Sequence, residues 1–166
     1  MSETFDFIII GSGAAGATLT YRLSELADAK ILVLEAGGTQ NWESIQTPYR
    51  WNELLLTEID WAYMSVPQPG LGNRQIYSAA GKAIGGTSNV YHMIHTRAKP
   101  ADLDDWSYNG CAGWSFAELL PYFQKLEHQQ DDTNPTAGKD GPINVIDAQD
   151  LGNPTSQTFI NACVEL

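Results

Sequence analysis

The run Phe5-Asp6-Phe7-Ile8-Ile9-Ile10 leads directly into Gly11-Ser12-Gly13-Ala14-Ala15-Gly16, and a second apolar run, Lys30-Ile31-Leu32-Val33-Leu34, ends at Glu35. A G-x-G-x-x-G turn between a strand and a helix, with an acid about 20 residues beyond the last glycine, restricts this stretch to a βαβ unit that grips the ADP half of a dinucleotide. Gly11 turns the chain tightly off the strand, Gly13 has no Cβ to keep a pyrophosphate from the backbone, and Gly16 lets the helix lie close on the sheet. The free N–H groups and positive dipole end of that helix face the phosphates. Leu19, Leu23 and Leu26 share one helical face and are expected to pack on the sheet. Glu35 can accept from both ribose hydroxyls, and a 2′-phosphate would be repelled there, so FAD or NAD is favoured over NADP.

A chain of 166 residues, 43% apolar, is long enough for one domain with a core. Its net charge of −11 opposes a nucleic-acid partner or an anionic membrane surface. No apolar run is long enough to span a bilayer, and no basic region precedes an apolar segment at the N-terminus. Cys111 and Cys163 lie far apart and form no C-x-x-C, so neither a metal site nor a disulfide framework is indicated. These features lean toward an intracellular, cytoplasmic setting.

After Ala36-Gly37-Gly38 the sequence turns irregular, and Trp42, Trp51 and Trp61 occur without a steady period. The expectation is that they cover a core under a long loop rather than form a stacking platform. Residues 60–66 read as a short strand ended by Pro67-Gln68-Pro69-Gly70. Gly81-Lys82-Ala83-Ile84-Gly85-Gly86-Thr87-Ser88-Asn89 is a second glycine-rich loop, able to approach a phosphate or a planar ring, with Lys82 placed to meet negative charge. It lacks the glycine spacing and the Lys-Ser/Thr pair of a Walker A loop. Two such loops in one short chain suggest a ligand held at two places.

Downstream, Pro100 fits a helix start before Asp102 and Trp106, and Ser115-Phe116-Ala117-Glu118 is a capping box for a helix that Pro121 should kink or delay. Residues 134–142 read as a loop and 143–146 as a strand. Asn153-Pro154 opens a final helix carrying Phe159, Cys163 and Leu166. That helix ends without the usual C-terminal signals, so the expectation is that the sequence is the front part of a longer polypeptide. His92 and His95 form an H-x-x-H without a third ligand, and no metal site is assigned.

Taken together, these stretches resemble the N-terminal portion of the glucose–methanol–choline flavoprotein oxidoreductases. Residues 7–16 and 32–37 look like that family's FAD-binding opening, and 81–88 like its first signature. Residues 97–106, Gly113-Trp114-Ser115, Leu119-Leu120-Pro121-Tyr122-Phe123 and Gly141-Pro142-Ile143 are similar to later landmarks. The resemblance implies an α/β fold: an incomplete Rossmann-like FAD-binding domain over residues 1–100, then at 101–166 a helical connection and the start of a second, substrate-side α+β domain. It implies FAD as cofactor, a small-molecule alcohol as substrate, oxygen or another carrier as electron acceptor, and hydride transfer from the alcohol carbon to the flavin. The cofactor-binding set it implies is Gly11, Ser12, Gly13, Ala14, Ala15, Gly16, Glu35, Ala36, Gly37, Lys82, Ala83, Gly85, Gly86, Ser88, Tyr91, His92, Met93 and Ile94. The family's catalytic His, with its His or Asn partner, lies near the C-terminus of a full-length member, so no catalytic residue is assigned in this chain.

Tyr91 stands where the family usually has Asn, and Val90 where some members attach FAD through His. Val90 cannot form that bond and His92 is out of register, so FAD is expected to be non-covalent. Three alternatives stay open: redox-neutral lyase or decarboxylase chemistry on the same scaffold, a nicotinamide-dependent dehydrogenase, and a non-catalytic FAD-binding piece of a split enzyme.

Overall fold

Strands β1 (Phe7–Ile10) and β2 (Ile31–Leu34) pair in parallel, Phe7 opposite Ile31 and Ile10 opposite Leu34, with helix α1 (Ala14–Leu23) as the crossover. This is the βαβ unit expected from the two apolar runs. The computed structural model describes residues 3–39, 41–130, 133–146 and 153–165, and the chain forms two units, Met1–Ile94 and His95–Leu166.

In the first unit, the Gly11 N–H donates to the Leu34 carbonyl at 2.7 Å, so the ladder continues into the glycine turn. The expected apolar helix face is covered only in part, with Leu23 half-buried. Leu19 is exposed, and Leu26 lies beyond the end of α1 in the turn that follows, also exposed. Two strands about 4.8 Å apart make a surface narrower than a helix about 10 Å across, so β1 and β2 cannot bury a full helical stripe. Ile9 alone is buried on β1, while Ile8 and Ile10 are exposed.

The core of this unit is built by the stretch that reads as irregular. Helix α2 (Glu43–Gln46) and a 3-10 segment, Pro48–Leu54, bring Leu54 against Ile59, Ala83 and Val90, with Trp42 and Ile45 packed around them. Trp42 thus covers a core as expected. Trp51 is half-buried with its ring edge-on to His92 at 3.9 Å between centroids, and Trp61 is 42% exposed and stacked on Tyr63. The expected strand over residues 60–66 is reduced to β3 (Tyr63–Met64), antiparallel to β4 (Tyr77–Ser78). Ala62, at φ 47°, breaks the extended run and leaves Asp60 to form an isolated bridge with Gly81.

In the second unit, helix α3 (Pro100–Tyr108) starts at its proline, and α4 (Phe116–Leu126) starts at the Ser115/Glu118 capping box. Pro121 does not delay α4: the capping box fixes the first turn, and the proline removes one N–H inside the helix. Strand β5 (Glu127–Gln129), which the sequence did not announce, pairs in parallel with β6 (Ile143–Val145). Helix α5 (Pro154–Val164) begins where Asn153 accepts the Thr155 N–H at 2.9 Å. Leu166 lies outside the described residues. Cys111 and Cys163 are free and exposed.

Candidate functional site

The first glycine turn folds as its spacing demands. Gly11 sits at φ 89°, in the left-handed region, and a Cβ on Gly16 would lie 2.0 Å from the Gly11 carbonyl oxygen and 3.3 Å from Ile9 Cγ2. No side chain caps the N-terminus of α1 and no acid occupies its first turn, so the donors around Gly13, Ala14 and Ala15 remain available to an anion.

Glu35 lies beside this turn, at the end of β2. Its Oε2 accepts the Ser12 N–H at 2.8 Å and the Ser12 hydroxyl at 2.7 Å, and its Oε1 accepts the Gly37 N–H at 2.9 Å. The Ser12 hydroxyl, then the Gly37 and Ser12 amides, hold the carboxyl below the usual carboxylate range against the opposing effect of burial. Glu35 therefore stays ionised and ties the first turn to residues 35–37, a duty that its spacing alone did not reveal.

The second glycine loop packs on the first. Gly38 and Ala83 form a parallel bridge, the Ile84 N–H donates to the Gly38 carbonyl at 3.3 Å, and the Gly85 N–H donates to the Ser12 carbonyl at 3.1 Å. A Cβ on Gly37 would lie 1.9 Å from the Lys82 carbonyl oxygen, and one on Gly86 would lie 2.7 Å from Gly13 Cα. The structure therefore gathers Gly11 to Gly16, Glu35 to Gly37, and Lys82, Ala83, Gly85 and Gly86 at one place. Ser88 donates its hydroxyl to the Gly85 carbonyl, and Asn89 Nδ2 donates to the Ile84 carbonyl at 2.8 Å, closing the loop's far end.

Other expected site residues are disposed differently. The Lys82 ammonium, expected to meet negative charge, lies over the Trp61 ring at 4.8 Å from its centroid, within cation–π range. Val90 is buried in the core cluster. Tyr91, Met93 and Ile94 follow as exposed residues, with Met93 at φ 56°, while His92 packs on Trp51. Among the described residues, no group of three or more His, Cys, Asp or Glu could hold a metal.

Asp60 is a residue that sequence reasoning missed. Its Oδ1 accepts the N–H groups of Ala62 at 2.9 Å and Ala80 at 3.0 Å; its Oδ2 accepts the Leu56 N–H at 2.9 Å and the Tyr77 hydroxyl. Burial opposes its charge, but the Tyr77 hydroxyl and the three amides outweigh that and push its pKa down to about 2. Nothing in the sequence separates Asp60 from nearby Glu58, since the partner Tyr77 arrives from β4 and Ala80 from the irregular stretch that follows it.

In the second unit, Glu127 is fully buried and accepts from Arg97 Nε at 2.7 Å, Arg97 Nη2, His95 Nε2 at 2.9 Å and Gln129 Nε2 at 2.8 Å. A carboxylate only accepts, so His95 Nε2 carries the proton in this contact. The Arg97 hydrogen bonds, with those of His95 and Gln129, bring the Glu127 pKa down to about 2 despite burial. Arg97 also donates to the Thr136 carbonyl at 3.0 Å and lies over the Phe123 ring. Among the described residues, no buried side-chain nitrogen or oxygen is left without a partner.

The first-unit site is a pair of backbone cradles that side chains would fill, with an uncapped helix N-terminus and an ionised acid at its rim. That donor set fits an elongated dinucleotide. A family model described as GMC oxidoreductase matches residues 5–166. Over 159 residues, the chain is 40% identical to an oxygen-dependent choline dehydrogenase of Rhizobium etli (strain CIAT 652), covering 95% of this chain and 29% of that protein. The same identity and coverage hold for an oxygen-dependent choline dehydrogenase of Sinorhizobium fredii (strain NBRC 101917 / NGR234). The crystal structure of pyridoxine 4-oxidase from Mesorbium loti superposes with a TM-score of 0.91 at 34% identity, covering 98% of this chain and 32% of that chain. The chain spans about 29% of the length of the curated relatives it matches. No helix among the described residues is long and apolar enough to cross a membrane.

Proposed function

From the premise that this chain belongs to the GMC oxidoreductase family, we propose that it is the FAD-binding N-terminal part of an enzyme that oxidises a small-molecule alcohol at its CH–OH carbon. The observation that carries this reading is the seating of Gly86 on Gly13, which builds one continuous backbone surface from two loops distant in sequence. On this reading the first-turn amides of α1 bind the pyrophosphate, Glu35 orients the adenosine ribose, and residues 81–94 lie along the pyrophosphate, ribityl chain and flavin ring. When bound, FAD supplies the hydride acceptor.

The chain's own residues bind and orient. Glu35, already ionised, accepts from sugar hydroxyls without first losing a proton. Gly37 and Gly86 keep the two loops close enough to exclude a side chain from between them. No residue here is assigned to take the alcohol proton, and that base belongs to sequence beyond this stretch. Residues 1–100 then serve the cofactor domain and 101–166 begin the substrate-side region, in a cytoplasmic protein whose electron acceptor is oxygen or another carrier.

The test is to produce the full-length polypeptide that carries this chain, record its visible flavin absorbance, and add choline or pyridoxine, the compounds in its relatives' names, without oxygen. Bleaching with formation of an aldehyde is expected. Turnover without bleaching would indicate redox-neutral chemistry, and a protein that never takes up flavin would overturn the reading.

A further inference from the structure

The second glycine loop rests on a stem, Ala80-Gly81-Lys82, and that stem is fastened to residues 59–61. The Lys82 N–H donates to the Ile59 carbonyl at 2.7 Å, the Trp61 N–H donates to the Ala80 carbonyl at 2.8 Å, and Asp60 bridges Gly81. A Cβ on Gly81 would lie 2.1 Å from the Gly86 carbonyl oxygen, so the two ends of the loop meet at this stem. Displacing Gly81 therefore displaces Gly86, and with it the contact on Gly13.

We propose that Asp60 is a positioning residue for the flavin side of the cofactor, its carboxylate setting the height of the Gly81–Gly86 loop above the first glycine turn. The proposal rests on the FAD reading above. Two independent features support it. Leu56 and Ala62 stand at φ 59° and 47°, a region that L side chains rarely adopt, and both give their N–H to this one carboxylate. The carboxylate thus compensates strain on both sides of the segment that carries the stem. Across the stem, the Lys82 ammonium lies over Trp61, gripping the same pairing from the side-chain direction. Every acceptor contact of Asp60 is with an N–H or O–H donor. An Asn at this position would therefore turn an NH2 group toward two donors while keeping the shape.

The experiment compares full-length wild-type protein with Asp60→Asn and Tyr77→Phe, titrating FAD by flavin fluorescence and AMP by competition. AMP reaches only Glu35 and the first turn. Asp60→Asn is expected to raise the Kd for FAD by about 10- to 100-fold and to leave AMP within about twofold. Tyr77→Phe removes one donor and keeps the fold. It should raise the Kd for FAD by about 3- to 10-fold, again sparing AMP. A parallel loss of FAD and AMP would mean a merely structural role and overturn the proposal, as would an unchanged FAD affinity. If Asp60→Asn does not fold, Tyr77→Phe decides alone by the same criteria. A wild-type protein that binds AMP but not FAD overturns the cofactor reading instead, so the two failures are distinct.

Discussion

Gly86 and Gly13 meet backbone to backbone: a Cβ on Gly86 would lie 2.7 Å from the Gly13 Cα, and Gly86 is itself at φ 57°. Together with the Gly85 N–H donated to the Ser12 carbonyl, this contact joins the two glycine-rich stretches of the sequence into a single surface.

Gly86→Ala should therefore combine a left-handed backbone penalty of about 1–2 kcal/mol with separation of the second loop from the first turn. Flavin content of the purified full-length protein should fall to a small fraction of wild type. Gly70→Ala, where an added Cβ meets nothing within 4 Å, serves as the control and should retain full flavin. Equal flavin in both variants would contradict the loop contact.

Glu35→Ala removes the acceptor shared by Ser12 and Gly37 as well as the expected ribose contact. FAD affinity should weaken by about 1–3 kcal/mol, the range for lost hydrogen bonds to a charged acceptor. Equilibrium titration with flavin reads it directly. An affinity equal to wild type would remove Glu35 from the site.

Val90 is buried in the core and carries no group that could bond to flavin, while His92 lies against Trp51. Acid precipitation of the holoprotein should release yellow flavin into the supernatant. Colour that stays with the pellet would show a covalent link.

Arg97→Leu should destabilise the protein by about 3–5 kcal/mol, because it leaves the fully buried Glu127 carboxylate without its cation. The double variant Arg97→Leu/Glu127→Leu should recover most of that loss, since no buried charge then remains. Urea midpoints of the two variants decide the matter: if the double variant is no better than the single, the charge is not the cause.

Acid should weaken the fold through two carboxylates. Asp60 and Glu127 both have folded pKa values of about 2, below their ordinary 3.8 and 4.5. A lowered folded pKa gives stability that is complete above the ordinary value and lost as pH falls through the folded one. The window is therefore pH 4.5 down to about 2, with about 2–3 kcal/mol at stake for each group. Unfolding midpoints should be flat from pH 7 to about 5 and then drop. A profile flat to pH 2 would contradict both assignments.

The candidate site was legible wherever its signal is local. The glycine spacing, the two apolar runs and the capping box at Ser115 act within a few residues, and each folded as read. Leu19 and Leu26 misled, because helical spacing says that a face is apolar but not whether a wide enough surface exists to cover it. Strand β5 was missed because Glu127 and His128 give no strand pattern, and Glu127 is buried only through Arg97, His95 and Gln129.

The order of residues by itself determined the βαβ unit, its glycine turn and the acid that follows β2, since these depend on short-range backbone geometry. Tertiary structure alone decided that Gly86 rests on Gly13, that Lys82 turns to Trp61, and that Asp60 and Tyr77 hold the second loop in place. Such pairings join residues far apart along the chain. Their energy lies in close packing and in hydrogen bonds shielded from water, which no local pattern encodes.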